Sequence, residues 1–190
     1  MPAGVGRLAG AMKTNVTYGF FMALGGMLLT LALYFLGFHS DAAKLSSAQW
    51  IGSIGGLAIG VTVLTLGIKA RRAAVPPTEE FSYGRALGAG VMITLFAALF
   101  GIVTNFLYFQ VINPGMTDII VQAQLDKMEA KGLSGAQLER AEKGIRMFMK
   151  PVFSACFAFV GGMFWGTIIS LIAAAFLKRK PTGDQPPVAA

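Results

Sequence analysis

The chain has 190 residues, of which 55% are hydrophobic and only 13% charged, with a formal net charge of +7. Water-soluble domains carry about twice that share of charged side chains, so an ordinary soluble fold is excluded. Nucleic-acid binding is disfavoured as well, because Lys and Arg gather at the ends of apolar runs instead of forming one basic face with interleaved aromatics.

Four apolar runs, each free of ionisable side chains over roughly 20 residues, match the thickness of a bilayer's hydrocarbon core. After an N-terminal segment (1–15) carrying Arg7 and Lys13, the first run spans 16–38, too long for a signal-peptide core and therefore expected to be retained. A short connection with His39, Asp41 and Lys44 leads to the second run, 48–68, making a tight helical hairpin. Lys69, Arg71 and Arg72 close that run, and the Pro76-Pro77 pair with Glu79 and Glu80 marks a return loop. The third run is 83–112, long enough to tilt or project. The fourth, 152–177, stops at Lys178, Arg179 and Lys180, and the tail 181–190 is expected to be disordered. The only cysteine, Cys156, falls inside the fourth run, where it can form no intrachain disulfide and reads as a small apolar filler.

The connection 113–150 predicts two short amphipathic helices. Asn113 followed by Pro114 reads as an N-cap opening a helix to about Lys131, with Val121, Leu125 and Met128 on one face. Gly132 breaks it, and Ser134 with Gln137 reads as a capping box for a second helix carrying Leu138, Ala141, Ile145 and Phe148. Their apolar faces are expected to rest on the bundle or the lipid interface, or else to dock a partner. The predicted fold is thus all-α: an integral membrane four-helix bundle (16–180) with two amphipathic helices between the third and fourth spans.

Nine basic residues fall in the N-terminal segment, the second connection and the C-terminus, all in or beside short segments at helix ends. That bias places both termini in the cytoplasm.

Chemistry is hard to find. The spans hold no ionisable group of the kind that marks proton relays or ion-coupled transport; Arg85 and His39 stand at their margins and read as interfacial. No nucleophile with a matching base, metal-ligand cluster or phosphate-binding loop is visible, so no enzyme activity and no cofactor are expected. Glycine, in contrast, is abundant and regularly spaced. Gly52, Gly56 and Gly60 share a face of the second span, Gly84, Gly88 and Gly101 lie on the third, and Gly162 and Gly166 on the fourth. Such smooth faces let helices approach closely in lipid, within one chain or between subunits. Asn105 and Tyr108, a turn apart in the third span, are the candidate polar contacts. Trp165 is expected to be buried between helices. A weak internal echo at an offset of 65 pairs Tyr18-Gly19 with Tyr83-Gly84, and Gly25 and Met27 with Gly90 and Met92. These identities are too few to separate duplication from chance.

The segments Phe81-Ser-Tyr-Gly-Arg-Ala-Leu87, Asn105-Phe-Leu-Tyr-Phe-Gln-Val-Ile-Asn-Pro114, Met149-Lys-Pro151 and Gly166-Thr-Ile-Ile-Ser-Leu-Ile172 resemble the bacterial four-helix membrane family known as domain of unknown function 4199. The resemblance implies a bacterial inner-membrane protein with four spans and a helical third connection, and no known activity. It also implies an acidic residue where this chain has Asn113. The expected role is a non-catalytic accessory or scaffolding subunit, its partners the lipid bilayer and other membrane subunits or copies of itself. The rival expectation is a small oligomeric transporter or channel passing a neutral or lipid-like solute by Asn105, Thr94, Thr104 and Tyr108.

Overall fold

The structure, a computed structural model, describes residues 3–181; the expected disordered tail lies, from residue 182 on, outside them. The architecture is all-α: α1 (Ala3–Phe35), α2 (Leu45–Ala73), α3 (Tyr83–Leu107), α4 (Met116–Glu129), α5 (Ala136–Phe148) and α6 (Pro151–Leu177). A one-turn 3-10 helix at Ala42–Lys44 precedes α2, and a π turn at Tyr108–Ile112 finishes α3. Four segments, Gly6–Phe35, Ala42–Ala73, Tyr83–Ile112 and Pro151–Leu177, are long and apolar enough to cross a membrane. The protein is a multi-pass membrane protein. Phe20, Leu28, Ile54, Val103, Phe157 and Phe176 point outward from the bundle, as lipid-facing side chains do.

α3 is the central element, packed most extensively on α6 and α1, while α2 touches the other three. Where the start of α1, the end of α6 and the α2–α3 loop lie, hereafter the terminal end, the packing is solid. Ile68, Phe81, Ala86, Ala89, Ala174 and Leu177 form one buried cluster there. It is sealed by a backbone bridge in which Phe81 and Arg179 exchange N–H···O bonds of 2.9 and 2.8 Å. The Arg179 guanidinium also donates to the carbonyls of Val75 and Pro76, both at 2.9 Å. Residues 3–15, expected as a separate terminal segment, continue α1 without a break, and Arg7 reaches Glu79 in the α2–α3 loop at 2.7 Å. The bond donated by Arg7 holds the Glu79 carboxyl below its ordinary range.

The two hairpins α1–α2 and α3–α6 are closed by the same cross. A methyl at Gly25 would press on Ile59 (2.9 Å) and one at Gly55 on Leu29 (2.7 Å); in the second hairpin Gly90 receives Ser170 and Gly166 receives Thr94. Each pair in α1 and α2 maps onto its counterpart by the same offsets, 65 for the first helix and 111 for the second. The weak echo in sequence therefore corresponds to one repeated packing device. The hairpins are not level, however: Tyr18 and Ile93 meet over Gly67, so Tyr18 stands beside Ile93 and not beside its echo Tyr83. Ten residues of helix put α1 about 15 Å further along the bundle.

At the opposite end, hereafter the far end, α4 packs on the 3-10 turn and on α5, burying Met116, Val121 and Ala123. Arg146 of α5 bonds Asp118 of α4 at 2.7 Å, and Phe148 stacks edge-on against Phe157 of α6. Two helix starts differ from expectation. Asn113 does not cap α4, which begins after Gly115 with no side-chain cap, because its carboxamide is used elsewhere. The Ser134–Gln137 box does not form either: Gly135, at φ 54°, precedes α5, and no side chain caps the helix. Trp165 is 62% exposed and faces outward, a correction to its expected burial; the adjacent Gly166 takes the inward position.

Candidate functional site

At the far end the polar residues converge. The π turn adds one residue to the last turn of α3, so the Asn113 N–H bonds the Tyr108 carbonyl at 2.8 Å and the side chains of both turn inward. π turns recur at functional sites because the extra residue re-aims side chains without ending the helix. The Tyr108 hydroxyl pairs with His39 Nδ1 at 2.5 Å, and Asn113 Nδ2 donates to the same hydroxyl at 3.2 Å and to the His39 carbonyl at 3.4 Å. His39 and Tyr108 are only 8% and 3% exposed, and Tyr34 packs edge-on against Tyr108. Burial pushes the His39 pKa below its ordinary value, so the imidazole is neutral at physiological pH. His39, expected to be an interfacial residue, is thus a buried partner of Tyr108.

Beneath this cap lies a cavity of about 470 Å³, within the range of small-molecule sites. α1 contributes Met22, Gly26, Met27 and Thr30, and α2 contributes Gly52 and Gly56. α3 lines it from Thr94 through Ala98, Gly101 and Asn105 to Tyr108, and α6 adds Ala158 and Gly162. The space exists because of what is missing from these positions. A methyl on Gly26, Gly56 or Gly101 would meet nothing within 4 Å, and methyls on Gly52 and Gly162 would make only ordinary contacts, at 3.7 and 3.9 Å. Three hydroxyls in the wall are already committed, since Thr30, Thr94 and Thr104 donate to the carbonyls of Gly26, Gly90 and Gly101.

A second cavity, of about 300 Å³, lies on the other side of α3, against the start of α6. Its walls include Ile102, Phe106, Gln110, Ser154 and Ala155. Asn105 and Phe109 line both spaces and form the partition between them. Neither cavity is lined by Lys, Arg, Asp or Glu. Such a pair of spaces can hold an uncharged molecule, with hydrogen bonding concentrated at Asn105 and at the cap.

The family model described as protein of unknown function (DUF4199) matches residues 17–179. The chain belongs to this family. No curated protein and no solved structure matches it. The segments that carry the family resemblance sit at structural joints. Phe81 to Leu87 forms the terminal-end bridge and the start of α3, Asn105 to Pro114 forms the partition and the cap, and Gly166 to Ile172 holds the tight contact with α3. At position 113 the resemblance implies an acidic residue. Here the Asn113 amide donates both bonds of the cap, which an ionised carboxylate could not do.

The glycines chosen from their spacing divide into two groups. Gly166 would overlap Thr94 if it carried a methyl, and Gly60 makes ordinary contact with Ile169 at 3.7 Å, so both lie at helix contacts. Gly52, Gly56, Gly101 and Gly162 border the cavity instead, while Gly84 and Gly88 are exposed with open space beside them. A methyl at Gly56, Gly84, Gly88 or Gly101 would meet nothing within 4 Å, so none of these four makes a close contact within the chain. Four further close approaches, at Gly19, Gly55, Gly67 and Gly90, escaped the search for four-residue spacing; only the echo at offset 65 pointed to Gly19 and Gly90.

Proposed function

We propose that the protein is a non-catalytic carrier or channel of the bacterial inner membrane that admits a neutral, lipid-like solute to the cavity between its four spanning helices. The observation that carries this reading is the glycine-lined space of about 470 Å³, which ends at Asn105 and the His39–Tyr108–Asn113 cap and has no charged wall residue. Small-molecule sites are concave and mostly apolar, and transporter sites commonly lie between the repeated halves of a bundle. The basic clusters at the terminal end support placing both termini in the cytoplasm, so that the cap faces outward.

The test is photolabelling in vesicles with a small uncharged aryl diazirine, mapped by mass spectrometry. Adducts are expected at Ala98 and Gly101, with none at the fully buried Ile93, and Gly101→Leu should remove the internal adducts while leaving those at Phe157. Internal positions labelled no more than Ile93 would refute the reading.

A second reading, an accessory or scaffolding subunit, draws on Gly84 and Gly88. They leave a smooth exposed strip on α3 that suits a helix of another subunit or copy. Stoichiometric co-purification from native membranes, lost in Gly88→Leu, is the result expected of it.

A further inference from the structure

Two features of the partition narrow the kind of molecule that fits, given the cavity-binding reading above. The first is the state of Asn105. Among the described residues its side chain makes no hydrogen bond, whereas the three wall threonines are bonded to their own helix. A half-buried carboxamide with free donors and a free acceptor favours a ligand that supplies a partner for them. The second is its position, with a large, glycine-hollowed space on one side and, on the other, a smaller space whose lining, though it includes Gln110 and Ser154, is mostly apolar. The Ser154 hydroxyl is bonded to the Pro151 carbonyl, and no bond of the Gln110 side chain occurs among the described residues. Apolar walls therefore flank Asn105 on both sides, and its carboxamide is the point at which a polar head would pair.

We infer that the ligand is a single-chain amphiphile with an uncharged hydrogen-bonding head, its head pairing with Asn105 and its tail lying along the inter-helix cavity toward Met22. Asn105 is then the specificity-determining residue that separates a polar-headed chain from a plain hydrocarbon. Charged heads are excluded by the same walls, since neither space offers a Lys, Arg, Asp or Glu to compensate a buried charge.

The experiment uses the full-length protein in phosphatidylcholine vesicles, with internal labelling by the aryl diazirine as the signal and decane, decan-1-ol or decanoate as competitor. Decanol is expected to suppress adducts at Ala98 and Gly101 at a membrane mole fraction roughly fivefold lower than decane, the effect of one net hydrogen bond of about 1 kcal/mol. Decanoate is expected to compete worse than decanol. Asn105→Leu, nearly isosteric, should bring decanol and decane together while leaving decane unchanged, and Asn105→Ala should repeat that result. Orientation is read with two photoreactive decanols: a diazirine beside the hydroxyl should mark Phe109 or Gln110, and one at the chain end should mark Met22 or Gly26.

Equal competition by decane and decanol in the wild type, or a difference that survives both substitutions, overturns the inference while leaving the cavity a binding site. Adducts in the reverse order overturn it too. If the diazirine never reaches Ala98 or Gly101, the binding reading itself fails and the inference falls with it.

Discussion

Alanine at Gly19 and alanine at Gly101 should act in opposite directions, although both replace a glycine in the interior of a spanning helix. A methyl at Gly19 would sit 2.6 Å from Phe96 Cβ and 2.9 Å from both Ala97 N and Ile93 O. Two of those three atoms are backbone, so no side-chain rotation relieves the overlap. Carbon contacts settle at about 3.5–4.0 Å, and α1 must therefore move about 1 Å away from α3. Overpacking of this kind costs about 1–3 kcal/mol, offset by up to about 1 kcal/mol from better helix propensity, for a net loss of roughly 1–2 kcal/mol. At Gly101 a methyl meets nothing within 4 Å, and only the propensity gain of about 0.5–1 kcal/mol remains. Reversible unfolding in mixed micelles of increasing dodecyl sulfate content, followed by circular dichroism, measures both. Gly19→Ala should lower the midpoint and Gly101→Ala should raise it slightly. A neutral Gly19→Ala, or equal destabilisation by both, would refute the assignment of tight and hollow regions along α3.

The terminal-end seal gives a second expectation: Phe81→Ala, at a residue only 2% exposed, should cost about 3–5 kcal/mol in the same unfolding assay. Arg179→Met, which frees the Val75 and Pro76 carbonyls, should cost about 1.5–3 kcal/mol. The cap should weaken in acid. Because burial lowers the His39 pKa, the unfolded or opened state binds the proton first, so the contribution of His39 is complete above its ordinary value near 6.5 and is lost as pH falls below it. After correction for the base-catalysed intrinsic rate, the opening constant from hydrogen exchange at Tyr108 to Asn113 should rise in that range in the wild type, and His39→Leu should abolish that rise. Arg7→Ala and Glu79→Ala should leave the unfolding midpoint nearly unchanged, since this pair sits in water. A shift as large as that of Phe81→Ala would show instead that the pair holds the start of α1.

The existence of the four spans could be read in the chain because lipid requires an unbroken apolar run and allows little else, although α1 begins well before residue 16 and α2 runs past both ends of 48–68. Which face each helix turns inward could not. Gly55 and Gly56 are neighbours in sequence, but one takes Leu29 and the other faces open space, a difference set by about 100° of helix rotation. Spacing by four marks a stripe without saying what the stripe faces, and the stagger of α1 against α3 decides that. The site shows the same limit. His39, Tyr108 and Asn113 each drew notice in sequence, as an interfacial residue, a polar contact and a cap. Their meeting depends on a π turn and on a contact across 69 residues, neither of which local pattern encodes.

The stagger also accounts for the hollow. α1 and α3 touch backbone to backbone at Gly19, and helices that cross at a typical angle of about 20° are displaced sideways by roughly 5 Å some 15 Å along. Bulky side chains ordinarily fill such a wedge, yet here the positions that could fill it are Gly26, Gly52, Gly56, Gly101 and Gly162. Glycine thus has two opposite uses in one bundle, closing the crossing at one level and keeping the diverging part clear of side chains at the next. A side chain added there would gain dispersion contacts with the walls, so the chain should become more stable. Gly101→Leu is the decisive variant, because if the hollow serves a ligand, the substitution should raise the unfolding midpoint while abolishing internal photolabelling, the trade-off expected of a site kept open for use. A Gly101→Leu protein that loses stability would mean that the space is already closed by side-chain motion, and the cavity would then have no claim to be a site.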